Sequence, residues 1–567
     1  MVLIILSWIY IIFTTINLGF FTNKVLSLKN DNFVITSILG LFATTILASI
    51  WAVFGRINIE FHLFLLLVNV FVFIKYKSDV LTIYSTFKNQ FRNLELVLKS
   101  YVVIITFLIV AQCASIPYVI DNESYYIQTI KWLNEYGFVR GLVNLHFFLG
   151  QLSGWHVTQS AFNFSFLYKN FNDLSGFCLL LGNVFAIEKL SAYFKNNNKI
   201  YLIVGLLPFV NLLFFQFISA PSPDIPVYVF SFVLFFYFLT NYKSISVENF
   251  NFIVLLVLFL LYIKNTTLVF VLIPIILFKI NYKILAKNLV KPFVLCTLVL
   301  SLFILKNMII CGSPVFPYKL FSFTSLEYAI PDQMEHFYYN ELKLYGYFVE
   351  AEQYKAMSWL DLFIQWLSLP KLNGLFNKSI VFLILVCPFF IYKFFNKKAI
   401  WILYFLMIVQ LLLLFETSPQ FRFFINYVIF FSLFCFTCIF YQKKLVLCFL
   451  YLSLIPTVLI LFLPIDLNNF SNYKFMQSIS NFSFQNSIYP YKNTKSDRPF
   501  ETIVDGNLKY NSPLNNDFFW GSGNGDLPCV NKVQIAYFKK YFYIVPQMRT
   551  DNLKDGFYPK KVNPNEP

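Results

Sequence analysis

Asp121 and Glu123 stand two residues apart in Pro117-Tyr118-Val119-Ile120-Asp121-Asn122-Glu123-Ser124-Tyr125-Tyr126, directly after an apolar run. Two carboxylates at a helix end suit general-base work, or a divalent cation such as Mg or Mn with Asp121 as ligand. The alternative is that they cap a following helix over 124–136, whose N-terminus attracts anions. A second segment reads Ile218-Ser219-Ala220-Pro221-Ser222-Pro223-Asp224-Ile225-Pro226. Its prolines stop one helix and start another, so Asp224 is either a cap or a second catalytic carboxylate facing Asp121. A third segment is Glu416-Thr417-Ser418-Pro419-Gln420-Phe421-Arg422. The planar fork of Arg422 suits a phosphate; a salt bridge to Glu416 is the alternative. Lys264 and Lys306, near helix ends, would add positive charge or snorkel. His146 and His156 are candidate substrate-binding groups, or structural hydrogen bonders. Asp121, Asp224, Arg422 and Lys264 all end helices on one face. That arrangement suits a lipid-phosphate donor entering from a bilayer: basic groups hold the phosphate and a carboxylate positions or deprotonates the acceptor.

The elements that must position these residues are membrane helices. Of 567 residues, 58% are hydrophobic and 13% charged, about half the charge of a soluble protein. That excludes a disordered chain, a coiled coil and an ordinary cytosolic enzyme. Apolar runs predict an all-α polytopic membrane protein of about 13–14 helices. They fall at 1–22, 33–54, 61–76, 98–116, 173–193, 200–218, 225–241, 250–264, 266–281, 292–310, 379–395, 399–415, 423–441 and 445–464. The domain division is a transmembrane part, 1–464, with external loops 117–172 and 311–378, and an external C-terminal region, 465–567. The latter, rich in Asn, Tyr, Lys, Pro and Gly, reads as small and loop-rich. The stretch from Trp155-His156 to Tyr168 is too short to span and reads as an interfacial helix.

The net charge of +16 is an orientation signal. One set of loops carries twenty Lys and Arg; the opposite short loops carry Arg56, Lys264 and Arg422. The positive-inside rule puts the first set in the cytoplasm and both termini outside. Nucleic acid is not needed to explain the excess. Seven of nine cysteines sit in apolar runs; Cys311 and Cys529 are the external pair able to form a disulfide. No Walker A, GxGxxG, HExxH or GxSxG motif is present.

The Asp121 loop, the stretch from Trp132 to His146, the Pro221 to Pro226 loop, Lys306-Asn307 with Gly312 and Pro317, the Pro419 to Arg422 loop and Trp520 with Pro528-Cys529 carry a likeness. Over about 117–530 the chain resembles an uncharacterised family of multi-pass bacterial envelope proteins. Its architecture is similar to the GT-C superfamily of polyprenyl-phosphate-dependent glycosyltransferases. The resemblance implies a bacterial inner-membrane enzyme that moves a sugar from a polyprenyl-linked donor to a glycan, lipid or protein on the periplasmic face. By position it implies Asp121 as catalytic acid or base, Asp224 as a second acid and Arg422 as phosphate contact. Tyr126 stands where family members tend to have His, which makes it a substrate-binding candidate. Phe147 and Phe148 stand where an Arg is usual, and Phe519 where a Cys is usual. Other readings are an O-antigen-type polymerase, a transporter or a non-catalytic assembly protein. A transporter would need mid-span charges and repeat-related broken helices, of which the sequence has few and none.

Overall fold

The computed structural model describes residues 1–169, 172–318, 326–395, 397–470, 481–495, 498–516 and 518–563. Among them, nine helices are long and apolar enough to cross a membrane. Two further apolar helix pairs bend by 90° and 91°, Ile59–Lys75 with Lys77–Arg92 and Asn265–Ile280 with Tyr282–Asn288. Three apolar helices are shorter: Lys199–Phe215, Val247–Ile263 and Ile425–Ile439. Every apolar run of the sequence is thus helical, and the chain is a multi-pass membrane protein. The expected count of 13–14 is reached only by including the bent and short ones.

Backbone polarity dictates this. In lipid each N–H and C=O must be satisfied within its own segment, which a helix does. Between helices there is little hydrophobic drive, so small residues and polar pairs hold the bundle together. Helices Val2–Leu26 and Phe33–Phe54 meet at Gly19 and Gly40, where a Cβ on Gly40 would lie 1.9 Å from the Thr15 carbonyl oxygen. Buried polar side chains pair across helices: Asn183 with Asn211 at 2.8 and 3.0 Å, Asn426 with Ser231 at 3.2 Å, and Tyr262 with Ser49 at 2.8 Å.

The loops gather at two ends as the charge pattern expects. At the basic end, Lys29 meets Glu248 at 3.4 Å, Lys443 meets Glu95 at 2.6 Å and Lys291 donates to Ser27 at 2.8 Å. At the other end, the Met1 amine donates to the Asn486 carbonyl at 2.7 Å, and Tyr491 N–H to the Ala114 carbonyl at 2.9 Å. Asp121, Asp224, Lys264 and Arg422 belong to this second end.

Two expectations need correction. The stretch after Trp155 is not an interfacial helix. Gly154–Ala161 is buried at every residue, fixed by Thr158 on Thr45 at 2.6 Å and by Ser153 on the Ile263 carbonyl at 2.6 Å. The C-terminal region is not merely loop-rich. It holds two antiparallel hairpins, β1 (Phe500–Asp505) with β2 (Leu508–Pro513), and β3 (Ile544–Met548) with β4 (Phe557–Lys561). A helix, Lys532–Phe542, lies between them. Gly506-Asn507 makes the first turn, with Gly506 at φ 62°, a conformation that the first position of a two-residue hairpin loop demands.

Replacing Gly40 by Leu should destabilise detergent-purified protein by ~1–3 kcal/mol or more, because the Thr15 backbone cannot give way. Gly55→Ala, whose Cβ meets only the Trp51 indole nitrogen at 3.9 Å, is the control. Thermal unfolding should separate the two; equal melting temperatures would contradict the close-approach account.

Candidate functional site

Asp121 ends the loop after helix Leu96–Cys113 and sits at the mouth of a π-helical turn, Asn122–Tyr126. It makes no side-chain capping bond. Its Oδ2 instead forms a salt bridge with the Nη1 of Arg422, 301 residues away. The alternative partner of Arg422 is taken elsewhere: Glu416 lies 3.5 Å from Lys343. Asp224 opens helix Asp224–Asn241, likewise without a side-chain cap, and forms a salt bridge with the ammonium of Lys264. Thus two carboxylates and two cations, from four separate segments, pair crosswise at one end of the bundle. Burial opposes the charge on Arg422, but Asp121 and Asp224 more than reverse this and hold its guanidinium above its ordinary pKa. Phe423 serves both cations: the Lys264 ammonium lies 4.4 Å and the Arg422 Cζ 5.2 Å from its ring centroid.

Neighbouring segments fix this geometry. The Tyr228 hydroxyl, one turn into the Asp224 helix, donates to the Arg422 carbonyl at 3.0 Å. Gln410 donates to the Thr266 carbonyl at 2.7 Å and the Phe423 carbonyl at 3.4 Å, which ties the Lys264 turn to the Arg422 loop. Trp366, from helix Trp359–Leu367, donates to the Pro419 carbonyl at 2.7 Å. Arg422 Nε donates to Gln420 Oε1 at 3.0 Å.

Two cavities meet at the pair. The first, of about 330 Å³, is mainly apolar, with Tyr118, Phe215, Phe217, Phe348 and Leu372 on its walls. Two helices beside it, Lys371–Phe395 and Lys443–Phe462, have only 39% and 28% of their apolar windows buried. It therefore lies against lipid-facing surface. The second, of about 150 Å³, is lined by aromatic side chains together with Lys264, Lys306, Asn307 and Ser153. Asp121, Gln420 and Arg422 border both cavities and form the partition between them.

The other expected site residues are placed as follows. Tyr126 lines the second cavity with its hydroxyl 3.5 Å from Asp121, and burial keeps its phenol protonated. Glu123 is corrected: it borders neither cavity. Its carboxylate accepts from the Thr494 hydroxyl at 2.9 and 3.0 Å and from Lys495 N–H at 2.7 Å, so it anchors the C-terminal region. His146 borders neither cavity either. One ring nitrogen meets the Trp520 carbonyl at 3.0 Å and the other accepts Phe148 N–H at 3.2 Å. Burial lowers its pKa to about 4. His156 Nδ1 accepts Ser153 N–H at 3.2 Å, and its ring packs on Tyr126 at 4.9 Å. Burial, then the Lys306 charge, lower its pKa to about 3. Burial thus keeps both imidazoles neutral at physiological pH.

The Cys311–Cys529 disulfide is also corrected. Both thiols are free and buried, Cys311 against the Gly150 carbonyl and Cys529 against the Ser522 carbonyl. A divalent cation does not fit these residues. Asp121 is committed to Arg422 and Glu123 faces away. Among the described residues no three His, Cys, Asp or Glu side chains converge. Sequence reasoning missed Gln420 and Tyr125 as cavity walls. It also missed Gln128 and Lys131, which donate to the carbonyls of Gly523, Asn524 and Gly525 at 2.9–3.0 Å.

Fold and site define a polytopic membrane protein with a charge-paired centre between an apolar and a polar cavity at one end of its helices. The chain belongs to the family described as Domain of unknown function (DUF8201), whose model matches residues 1–429. No curated protein and no solved structure matches it.

Glu123→Ala should release the segment around Thr494. The lost bonds to a buried carboxylate are worth ~1–3 kcal/mol, and trypsin should then cut faster at Lys492 and Lys495 than in the wild type. Unchanged cleavage would show that Glu123 does not hold this segment.

Proposed function

We propose that the protein is an integral-membrane glycosyltransferase that takes a sugar from a polyprenyl-phosphate-linked donor. The observation that carries this reading is the Asp121–Arg422 pair standing between an apolar cavity beside lipid-facing helices and a polar, aromatic cavity. The prenyl chain would lie in the first cavity and the acceptor in the second. The donor phosphate would replace Asp121 on the Arg422 fork, which suits bidentate phosphate contact. Asp121, so released, becomes a carboxylate base beside the acceptor. The acceptor hydroxyl loses its proton to Asp121 as its oxygen bonds the anomeric carbon. The bond from that carbon to phosphate breaks, and the electron pair leaves with polyprenyl phosphate, whose charge Arg422 retains. Lys264, fixed by Asp224, adds a positive field at the same point. No step is routed through a divalent cation.

The reading includes place. Twenty basic residues in one set of loops put that end in the cytoplasm under the positive-inside rule. The site and both termini would then face outward from a bacterial inner membrane, and the acceptor would be an envelope glycan, lipid or protein.

Asp121→Asn keeps shape and removes the base. Release of polyprenyl phosphate from a labelled lipid-linked sugar should fall ~10²–10⁴-fold, and equal turnover in both proteins would sink the mechanism. For sidedness, Lys283→Cys and Glu352→Cys in a Cys448→Ser background should label from opposite sides with an impermeant maleimide. Labelling from one side alone would reject the topology.

A further inference from the structure

The wall of the second cavity carries three cations, Lys264, Lys306 and Arg422, and one carboxylate, Asp121. Lys264 is neutralised from behind by Asp224, and Arg422 by Asp121. Lys306 has no such partner. Among the described residues no carboxylate lies within salt-bridge distance of it. Its ammonium donates to the Leu152 carbonyl and lies 5.3 Å from the Phe303 ring centroid. Yet Lys306 is only 4% exposed. The nearby His156 is neutral and adds no second positive charge. A buried ammonium that faces a cavity without a counter-charge is costly, and an anion bound in that cavity would relieve the cost.

The rest of the wall narrows what that anion belongs to. Tyr125, Phe148, Phe316 and Phe423 present ring surface, and Asn307 and Ser153 present polar atoms. Flat apolar faces with a few polar groups suit a sugar ring, whose C–H faces pack on aromatic rings while its hydroxyls hydrogen-bond. A volume of about 150 Å³ is small beside the ~300–1,000 Å³ usual for ligand pockets, which favours a single ring. We infer that this cavity binds an acidic pyranose, a sugar ring carrying a carboxylate or a phosphate, whose anionic group pairs with Lys306. This rests on the reading of the second cavity as the acceptor pocket, and it names the acceptor class. Glycosyl transfer in itself demands no charge on the acceptor.

The test is direct binding to full-length, detergent-purified protein with no donor lipid present. The probes are methyl glucuronoside, glucose 6-phosphate, methyl glucoside and inorganic phosphate, read by thermal shift and calorimetry. At least one acidic sugar should bind ten or more times as tightly as methyl glucoside, and salt should weaken it. Which acidic sugar binds distinguishes a carboxylate from a phosphate. Lys306→Met, which keeps an unbranched stem against Phe303, should lower that affinity to the methyl glucoside level, since a charged hydrogen bond is lost. Lys306→Arg should largely retain it. Equal binding of methyl glucoside, no binding by either acidic sugar, unchanged affinity in Lys306→Met, or inorganic phosphate binding as tightly as either sugar would each overturn the inference. Should Lys306→Met not fold, the four probes and the salt dependence on wild type still decide. Because no donor is present, failure here leaves the transferase reading standing. Binding without any transfer would count against that reading alone.

Discussion

Four charges held partly out of water constrain everything near this site. Asp224 has 2% of its side chain exposed, Asp121 16%, Lys264 17% and Arg422 26%. Removing one member of a buried pair costs ~3–5 kcal/mol, because the other is left uncompensated. The resting centre therefore neutralises itself. Whatever displaces Asp121 from Arg422 must bring an anion of its own, and must leave the carboxylate a proton or another partner. A neutral ligand has no means of opening the partition between the two cavities. This selects for an anionic ligand before any detail of contact is considered, and it couples the cavities: an anion that takes Arg422 in either one releases Asp121, which borders both.

The same constraint explains why so much of the bundle converges on one end. The four charges come from segments that share no local sequence, so their registry depends on cross-ties such as Tyr228 to the Arg422 carbonyl and Gln410 to Thr266 and Phe423. These are bonds to backbone, which fix a chain path regardless of the neighbouring side chains. The Phe423 ring lies against both cations.

How legible was this in the sequence? The helices were, because hydrocarbon admits only a segment that satisfies its own backbone, and such segments write themselves as apolar runs. The grouping of loops into two ends was legible too, since it follows Lys and Arg counts. Asp121, Asp224, Lys264 and Arg422 stood out as ionisable groups at helix ends, but their partners did not. A nearest-neighbour rule pairs Arg422 with Glu416, whereas the fold pairs it with a residue 301 positions away. Glu123 misled for a geometric reason. Residues two apart on helical backbone point about 200° from each other, so Asp121 facing the cavities forces Glu123 towards the C-terminal region. The hairpins escaped because their strands are only five or six residues long and mix polar with apolar residues, with only the Gly506-Asn507 turn to announce them.

The extent of the family match sharpens the division of labour. All five groups that line or neutralise the centre, Asp121, Asp224, Lys264, Lys306 and Arg422, lie within residues 1–429, and the C-terminal hairpins lie beyond. Besides the Glu123 carboxylate on the Thr494 hydroxyl, backbone groups of residues 520–525 join the two parts. Ser124, Gln128, Lys131 and His146 reach backbone carbonyls between Trp520 and Gly525, and Ser522 and Gly523 return N–H groups to the Glu123 carbonyl. What this clasp asks of residues 520–525 is a backbone path, with Gly523 at φ 68° to permit the turn, while the Trp520 ring packs on His146, Phe147 and Phe148. A π-helical turn with one face on the charged centre and the other bound by the C-terminal region keeps Asp121 in register. The position of the carboxylate is therefore set from outside the bundle as well as from within it.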